Sequence, residues 1–581
     1  MKRLLFILFL MSTLVADGWA HVAVARNGIN AILYVNGLAK VTFDNTTVHT
    51  PDEDVYLSNK GVYFYKKKYT PEAVPTYSAN KHLLPIPIIE DKKEWLEMYY
   101  KTWEIAFSNI KSPATNSTMV SNWYDEALDG NIYQWDMIFM TMFGKYIHHI
   151  FMGVQSFDNF YANQRISGSI SRMITESTGN DYFDESSSNL INPPLFSWGE
   201  VQYYQATGDK SRFDKVLTVL EKYFEFVERT RGGSGTKHKL YWSNGQASGM
   251  DNTPRDTGRP NGHYSSDQQG WVDMSSQMVI QCNNIAMICD ELGYTEKATQ
   301  YREKATEIGE RINQWMWSEE DGIYYDVDVQ GIKTNWKTAA CFWPMLAGIT
   351  SPEQDAKLIA HLKNPNEFWR DMAFAALSAT HSEYEANGGY WRGAVWAPTN
   401  YAIIKGLETV GQEKFAREAS EYYIQGLYEV FQQTGTLWEN YAADRKDGVL
   451  NPGVHDYTED SFCRKDFVGW TGLGPISLLI ENVLGFRMNG ANKVLEYHLT
   501  RTDKHGIQNL RLADITTSVV TDDRKQDINK AIVTVESDKP YKLIIYFNGT
   551  IQEFEVQKGS NTFSLERKTN IDEPIAAKKF R

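Results

Sequence analysis

A helical pattern of apolar and polar residues recurs from about residue 92 to about residue 487. Apolar side chains in 209–229 follow one another at helical spacing and form one stripe. The stretch 271–292 is apolar nearly all round, as an inner helix would be, whereas 294–317 is charged on one face, as an outer helix would be. Further helices are predicted over 352–363, 366–380, 398–410, 412–433 and 467–485. Alternating inner and outer helices are typical of stacked helical hairpins that close into a toroid. Periodicity alone predicts a large all-α domain.

Both flanks of this region have patterns typical of β-structure. β-branched and aromatic runs in 31–35 and 62–65 are separated by Asn, Gly and Asp. After residue 487, apolar and polar residues alternate over 494–500, 507–513, 531–537, 541–547 and 551–556. The pair Asn548-Gly549 predicts a two-residue hairpin turn. We therefore expect a β-rich N-terminal segment and a small antiparallel C-terminal β-domain, packed as a sandwich.

The first twenty residues have the layout of a secretory signal. Met1-Lys2-Arg3 is positively charged, residues 4–16 are apolar, and Gly18-Trp19-Ala20 places small residues where a signal peptidase cleaves. No Cys follows this point directly, and no other segment is apolar enough to span a bilayer. We expect an exported protein, periplasmic or secreted. The predicted organisation is a signal peptide over 1–20, a β-rich segment over 21–91, the helical domain over 92–487, the β-domain over 488–570 and a tail over 571–581.

Composition narrows the classes of partner and cofactor. A net charge of −14 argues against nucleic acids, anionic membranes and polyanionic substrates. The four cysteines, Cys282, Cys289, Cys341 and Cys463, lack metal-binding spacing and are expected to be buried free thiols. The acidic turn 321–328 fits solvated carboxylates better than a structural calcium site, so we expect no required cofactor and no metal. Oligomeric state is not indicated.

Four segments concentrate Trp, Gly, Asp, Glu and Arg at predicted loops or helix ends, where functional residues are common. They are 131–136, 247–255, 388–396 and 437–441. Aromatic residues among polar ones suit sugar binding, because a ring face covers the C–H groups of a pyranose. Sugar hydrolysis also needs two carboxyl groups, one that protonates the leaving oxygen and one that activates water or attacks directly.

Asp251 and Glu439 are the carboxyl groups that these segments offer. Asp251 lies in a loop between Gly249 and Pro254, where the alternative is a helix cap or an Asx turn. Glu439 lies between Trp438 and Tyr441, after the loop 434–436, where the alternative is a paired surface carboxylate. The pairs Trp135-Asp136 and Trp391-Arg392 have a similar alternative, a core aromatic beside a buried ion pair.

These four segments, in this order, resemble glycoside hydrolase family 63 and its relatives, the family 37 trehalases and the mannosylglycerate hydrolases. The run Ser248-Gly249-Met250-Asp251-Asn252 looks like the acid loop of that family, and Trp438-Glu439-Asn440-Tyr441 resembles the segment with its general base. The resemblance covers about residues 92–487. It implies a mainly α fold, an (α/α)6 toroid, with inverting chemistry in which Asp251 is the general acid and Glu439 the general base.

The same resemblance implies a set of sugar contacts. Asp136 and Arg392 are expected to bind hydroxyl groups, and the other implied contacts are Trp135, Trp391, Trp396 and Tyr441. Asn192 stands where related enzymes carry Gln before two prolines, so its amide is a shorter substitute.

We therefore expect hydrolysis of an α-linked glucosyl or mannosyl di- or oligosaccharide. Trehalose is a less favoured substrate, because Tyr133-Gln134 precedes Trp135 and the full trehalase signatures are missing. Alternatives from other classes are a non-catalytic carbohydrate-binding protein, which would need neither carboxylate, and a polysaccharide lyase, which would need groups that neutralise a uronate. A phosphorolytic enzyme is a further alternative.

Overall fold

A computed structural model describes residues 65, 67–126, 130–256, 269–454 and 461–567, together with main-chain strands between residues 11 and 63. Those first strands are β1 (Met11–Val15), β2 (Gly18–Asn27), β3 (Asn30–Val35), β4 (Leu38–Phe43) and β5 (Val48–His49), which pair in sequence order, and the hairpin β6 (Tyr56–Ser58) and β7 (Gly61–Tyr63). The N-terminal β-structure predicted around 31–35 and 62–65 corresponds to β3 and β7. The rest of the predicted signal peptide, and the tail over 571–581, lie outside the described residues.

The central region is helical, and its main helices follow the apolar periodicity of the sequence. They are α1 (Tyr77–Asn80), α2 (Trp95–Ser108), α3 (Gln134–Gly144), α4 (Phe157–Tyr161), α5 (Phe196–Thr207), α6 (Phe213–Arg231), α7 (Gly245–Ser248), α8 (Val272–Leu292), α9 (Thr295–Met316), α10 (Trp343–Ala347), α11 (Pro352–Leu362), α12 (Ala397–Thr409) and α13 (Glu413–Thr434), with a π-type helix over Gly474–Val483. Short hairpins lie between them, formed by β9 (Ile110–Lys111) with β10 (Trp123–Tyr124), β11 (Asn131–Tyr133) with β12 (Met173–Thr175), and β13 (Trp317–Ser318) with β14 (Ile323–Tyr324).

Inner and outer helices alternate as predicted. Helix α8 is buried along most of its length, whereas α9 buries one stripe of small and aliphatic side chains and exposes its charged face. Apolar burial is the main stabilising contribution for such a ring of helices, because inner helices such as α3 and α8 bury most of their residues. The fold is a mainly α (α/α)6 toroid with a C-terminal β region.

The helix predicted over 366–380 is wrong. This segment consists of turns, bends and isolated β-bridges, it is buried over 372–378, and there its main chain bonds mostly to other parts of the domain. The Met372 N–H donates to the Ala443 carbonyl, the Ala376 N–H to the Ala394 carbonyl, and the Phe374 N–H to the Asn400 side chain. Its alanines and Met favour a helix locally, but these long-range partners satisfy the backbone better than a helix would at this buried position.

The C-terminal region contains two facing sheets. Its strands are β15 (Phe486–Asn489), β16 (Val494–Leu499), β17 (His505–Leu512), β18 (Ile515–Thr521), β19 (Lys530–Ser537), β20 (Tyr541–Phe547), β21 (Thr550–Val556) and β22 (Gly559–Glu566). One sheet has the order β15-β16-β20-β21. The other has the order β22-β19-β18-β17-β8, in which β8 (Ile86–Ile89) lies between α1 and α2 in the sequence. Pairing is antiparallel except between β16 and β20. The turn at Asn548-Gly549 joins β20 to β21, with both residues at positive φ, as predicted.

The four cysteines are buried free thiols, as predicted. Among the described helices, none combines the length and the apolar character needed to cross a bilayer.

Candidate active site

Residues 249–255, which we call the acid loop, leave α7 against the face of Trp135. The Asn244 side chain caps α7 by accepting a 2.8 Å hydrogen bond from a main-chain N–H of its first turn. The helix ends at Gly249, whose φ of +79° lies in the left-handed region. A Cβ at this position would lie 3.0 Å from the Trp135 ring. Glycine therefore allows the chain to turn closely over this indole, two residues before Asp251.

One buried side chain holds the acid loop to residues 388–396, which we call the aromatic loop. Asn252 donates from Nδ2 to the Gly389 carbonyl over 3.0 Å and accepts at Oδ1 from the Trp391 N–H over 2.8 Å. Asn252 is shielded from solvent, so neither hydrogen bond competes with bulk water. The position of the acid loop relative to the aromatic loop is therefore fixed beside Asp251.

The end of the acid loop is anchored by Arg255, a residue whose role sequence reasoning missed. Its guanidinium donates to both Asp273 oxygens over 2.8 Å and to both Asp326 oxygens over 2.7 and 2.8 Å. The same group lies 3.9 Å from the centroid of the Trp271 ring. All three charged side chains are buried, and the guanidinium pairs with both oxygens of each carboxylate. In the sequence, the positive charge of Arg255 four residues after Asp251 could have indicated this anchoring role.

The aromatic loop has an unusual backbone that brings one tyrosine toward the acid loop. Gly388, Gly389 and Tyr390 have φ values of +110°, +48° and +61°, so three successive residues adopt conformations that favour glycine. The stacked rings of Trp391 and Trp396, 3.9 Å apart and 3° from parallel, support this turn. The Trp396 Nε1–H donates to the Tyr390 carbonyl over 3.1 Å. The two indoles therefore brace Tyr390, and their predicted sugar contacts stay predictions.

Glu439 lies in residues 435–441, which follow α13 and which we call the base loop. Its carboxylate accepts hydrogen bonds from the Tyr390 hydroxyl over 2.9 Å and from the Arg464 N–H over 3.4 Å. The Trp470 Nε1–H donates to the Glu439 carbonyl over 2.7 Å, which fixes the main chain. Donors aimed at a carboxylate stabilise its ionised form. This environment suits a general base.

Asp136 is a third carboxyl group beside Asp251 and Glu439. It lies in the first turn of α3 and is buried, and its Oδ1 has no hydrogen-bond partner among the described residues. Burial raises the pKa of Asp136 well above its usual value, and the nearby carboxylates of Glu439 and Asp251 raise it further. Contacts between the segments agree with this effect. Asn252, next to Asp251, binds the main chain on both sides of Tyr390, and Tyr390 binds Glu439. Trp135, next to Asp136, packs against Gly249 of the acid loop, so the three carboxyl groups lie in one neighbourhood.

Two further groups adjoin this neighbourhood. Burial and the carboxylates of Glu439 and Asp251 raise the pKa of Tyr390 in turn, so the tyrosine keeps its proton and remains a donor. Arg172 acts in the opposite direction and lowers the pKa of Asp136. The guanidinium of Arg172 donates to the Gln246 carbonyl over 2.7 Å and to its side-chain oxygen over 2.9 Å, beside α7. Neither Tyr390 nor Arg172 was assigned a role from the sequence.

The remaining sequence-predicted residues have contacts within the protein. Asn192 donates to the Gln246 carbonyl over 3.3 Å, beside Arg172. The Tyr441 hydroxyl accepts the Trp438 N–H over 3.0 Å and is buried. Arg392 is partly exposed and forms an ion pair with Glu383 over 3.0 Å. Tyr441 and Arg392 thus position neighbouring loops here, and the predicted sugar contacts of all three residues stay predictions.

In the described ranges, no group of three or more His, Cys, Asp or Glu side chains is arranged to hold a metal ion. Of the acidic turn considered for calcium, Asp326 binds Arg255, and Asp328 accepts the Gln330 and Ile332 N–H groups over 2.9 and 2.8 Å. That no cofactor is required stays a prediction.

Sequence comparison relates the chain to known proteins. Residues 131–457 match the model of the mannosylglycerate hydrolase MGH1-like glycoside hydrolase domain. An uncharacterized protein of Borreliella burgdorferi is 27% identical over 472 residues, which are 80% of this chain and 95% of that protein. A probable mannosyl-oligosaccharide glucosidase of Schizosaccharomyces pombe is 27% identical over 253 residues, 41% of this chain but only 29% of the yeast protein.

Among solved structures, the family 63 mannosylglycerate hydrolase of Thermus thermophilus, in complex with Tris and D-glycerate, has a TM-score of 0.51 at 16% identity. The match covers 65% of this chain and 99% of that one. An α-L-rhamnosidase of Aspergillus terreus has a TM-score of 0.55 at 12% identity, covering 89% of this chain and 53% of that one. These likenesses concern the fold. The family match includes Asp136, Asp251 and Glu439 within its bounds. The chain therefore belongs to the mannosylglycerate hydrolase MGH1-like glycoside hydrolase family and is a family 63-like glycosidase with a carbohydrate substrate.

Proposed function

We propose that this protein is an exported inverting α-glycosidase that releases a glucosyl or mannosyl unit from a di- or oligosaccharide. The observation that carries the proposal is the set of contacts that joins the segments of Asp251, Glu439 and Asp136, which come from three distant parts of the sequence. The named relatives include a mannosyl-oligosaccharide glucosidase and the family carries the name of mannosylglycerate hydrolases, which supports these two sugars. The signal-like N-terminus supports export.

Glu439 is the general base in this proposal. The Tyr390 hydroxyl and the Arg464 N–H both stabilise its ionised carboxylate, and Tyr390 keeps its proton because its pKa is raised. An ionised, oriented carboxylate accepts a proton from water as that water attacks the anomeric carbon. The same hydrogen bonds hold the carboxylate in one position, so the water is placed on one face of the sugar.

Asp251 is the general acid. Its loop is fixed on both sides, by the hydrogen bonds of Asn252 and by the ion pairs of Arg255. Repulsion within the carboxyl group cluster favours retention of protons there, because each added negative charge destabilises the next. A protonated Asp251 then donates to the glycosidic oxygen as the bond to the leaving group breaks.

Asp136 has a binding role in this proposal. Burial holds its carboxyl group toward the neutral form, which both donates and accepts hydrogen bonds, and its Oδ1 has no partner among the described residues. A sugar hydroxyl at this position would satisfy that buried oxygen. Trp135, whose indole packs on the acid loop, lies next to it in the sequence.

The experiment that tests the proposal is a screen of α-linked glucosides and mannosides, trehalose included, with the first-formed product anomer followed by NMR. An inverting enzyme gives the β-anomer first, because water attacks from the face opposite the leaving group. The α-anomer as first product would contradict inversion. A separation of about 5–5.5 Å between the Asp251 and Glu439 carboxyl groups in a crystal structure, instead of about 6.5–9.5 Å, would contradict it independently. No hydrolysis of any substrate in the panel would reject the α-glycosidase assignment.

A further inference from the structure

A cavity lies outside the carboxyl group cluster, between the C-terminal end of α6 and residues 185–190. Its volume is about 440 Å³, and its lining includes Ser186, Ser187, Arg229, Arg231 and Trp242. The proposed hydrolysis uses none of these residues. The lining combines polar serines with the aromatic side chains of Phe226 and Trp242.

Arg231 is the last residue of α6, and its guanidinium is buried. Only 4% of the residue is exposed, and Cζ lies 3.8 Å from the centroid of the Trp242 ring. Nη2 donates to the Ser188 carbonyl, while Nη1 has no hydrogen-bond partner among the described residues. Within those same residues, no Asp or Glu forms an ion pair with Arg231. Burial lowers the pKa of Arg231 to about 9.

A buried cation without a counter-ion is unfavourable, because the protein interior solvates charge poorly. Two features offset part of this cost. The C-terminal end of α6 carries the negative pole of the helix dipole, and the Trp242 face attracts a cation. Neither feature satisfies Nη1. Arg255 provides the contrast within the same chain, since its buried guanidinium is matched by two carboxylates.

We propose that the cavity beside Arg231, which we call the Arg231 cavity, binds a small oxyanion, a phosphate or a carboxylate group. An oxyanion there would supply the missing counter-charge to a guanidinium whose residue lines the cavity, and guanidinium groups favour such partners. The Ser187 hydroxyl lies on the lining as an additional donor, whereas the Ser186 hydroxyl already donates to Asp184, and Arg229 adds a positive charge at the exposed side. Glu185, the carboxylate on the lining, is exposed and opposes an incoming anion.

The Arg231 cavity adjoins the acid loop without being part of it. The Ser188 carbonyl, which accepts from Arg231, also accepts from Nδ2 of Asn244 over 3.2 Å, and Asn244 caps α7. The oxyanion site does not depend on the proposed hydrolysis, so either proposal can fail without the other.

Calorimetric titration of the full protein tests the site, with inorganic phosphate and D-glucuronate as probes at an ionic strength held constant with chloride. We expect wild type to bind at least one probe and Arg231→Met, which keeps the side-chain bulk without charge, to bind it at least about tenfold more weakly. Phosphate alone would identify a free inorganic anion as the ligand, and preferential binding of glucuronate would identify a sugar acid. The absence of binding by wild type, or equal affinities of wild type and Arg231→Met, would overturn the proposal.

Glu185→Gln keeps the test decisive if Arg231→Met fails to fold. Glu185 is exposed, so this change should leave the fold intact. Because it removes the opposing carboxylate, we expect tighter binding of the same probe. Unchanged or weaker binding would count against an oxyanion in the Arg231 cavity.

Discussion

The Tyr390 hydroxyl donates a 2.9 Å hydrogen bond to Oε1 of Glu439 and so joins the aromatic loop to the base loop. We expect Tyr390→Phe to reduce kcat about tenfold, since one hydrogen bond to a charged group contributes about 1.5–3 kcal/mol. The acidic limb of the pH–rate profile should move to higher pH, because loss of the donor destabilises the ionised base. Steady-state kinetics across pH measures both effects.

Tyr182→Phe is the matched control, since Tyr182 is exposed and remote in sequence from both loops. It should leave kcat and the profile unchanged. A Tyr390→Phe enzyme with lower kcat but an unshifted acidic limb would mean that the hydroxyl does not act through Glu439.

The ion pairs of Arg255 predict a large effect on stability. Arg255→Met leaves Asp273 and Asp326 buried without their cation, which typically costs about 3–5 kcal/mol. We expect a clear drop in the thermal and urea midpoints. Arg302→Met, which removes an exposed ion pair with Asp290, should change stability by less than about 1 kcal/mol. Equal stability of the two variants would show that Arg255 does not anchor the acid loop.

For Asp136 we predict no loss of stability when the ionisable group is removed, in contrast to Arg255. Its pKa is raised in the folded protein, so its contribution to stability is lost as pH rises from the unfolded value toward the folded one. Asp136→Asn resembles the neutral carboxyl group and escapes this loss. We expect the variant to be as stable as wild type or more stable at pH 7, while its hydrolytic activity falls. A marked loss of stability at pH 7 would contradict the neutral form. Thermal denaturation at pH 4 and pH 7 measures the difference.

His505, in β17, makes the C-terminal region sensitive to acid. Burial lowers its pKa to about 4, with the positive charges of Arg501 and Arg524 adding to the effect. The folded protein therefore keeps His505 neutral, whereas the unfolded chain takes up a proton below about pH 6.5. The free energy of unfolding should fall between about pH 6.5 and 4, by about 3 kcal/mol for this group.

His505→Gln should have a shallower dependence over that range, whereas His82→Gln, at an exposed position, should match wild type. Urea denaturation followed by circular dichroism at several pH values gives the slopes. An unchanged slope in His505→Gln would assign the acid sensitivity to other groups.

The local pattern of apolar and polar residues was sufficient to predict those parts of the fold in which local preference and tertiary structure agree. The apolar stripe of α6, the nearly all-round apolar α8, the charged face of α9 and the turn at Asn548-Gly549 were all predicted from the sequence. The segment 366–380 was not, because its hydrogen-bond partners come from the distant residues Ala394 and Ala443. Strands β18 and β22 were not among the predicted segments, although the alternating burial of both is visible once their neighbours are known.

The candidate active site could also be predicted only in part, because residues that are distant in the sequence connect its segments. Motif resemblance indicated the segments that contain Asp251, Glu439 and Trp391, whose roles stay predictions, but it did not identify the side chains that connect these segments. Tyr390 reaches Glu439 because of a left-handed backbone at its own position, which no residue type signals except the preceding glycines. Arg255 and Arg172 act through partners that are distant in the sequence, and charge alone does not reveal such partners.

The most direct test of the account compares Asp251→Asn and Glu439→Gln on two substrates. One is an α-linked disaccharide, whose leaving group needs a proton, and the other is the matching glycosyl fluoride, whose leaving group does not. We expect Asp251→Asn to lose about 100-fold or more on the disaccharide but to retain most activity on the fluoride, and Glu439→Gln to lose activity on both. Asp214→Asn, an exposed control on α6, should behave as wild type. Equal losses of Asp251→Asn on both substrates, or full activity of Glu439→Gln, would contradict the assignment of acid and base.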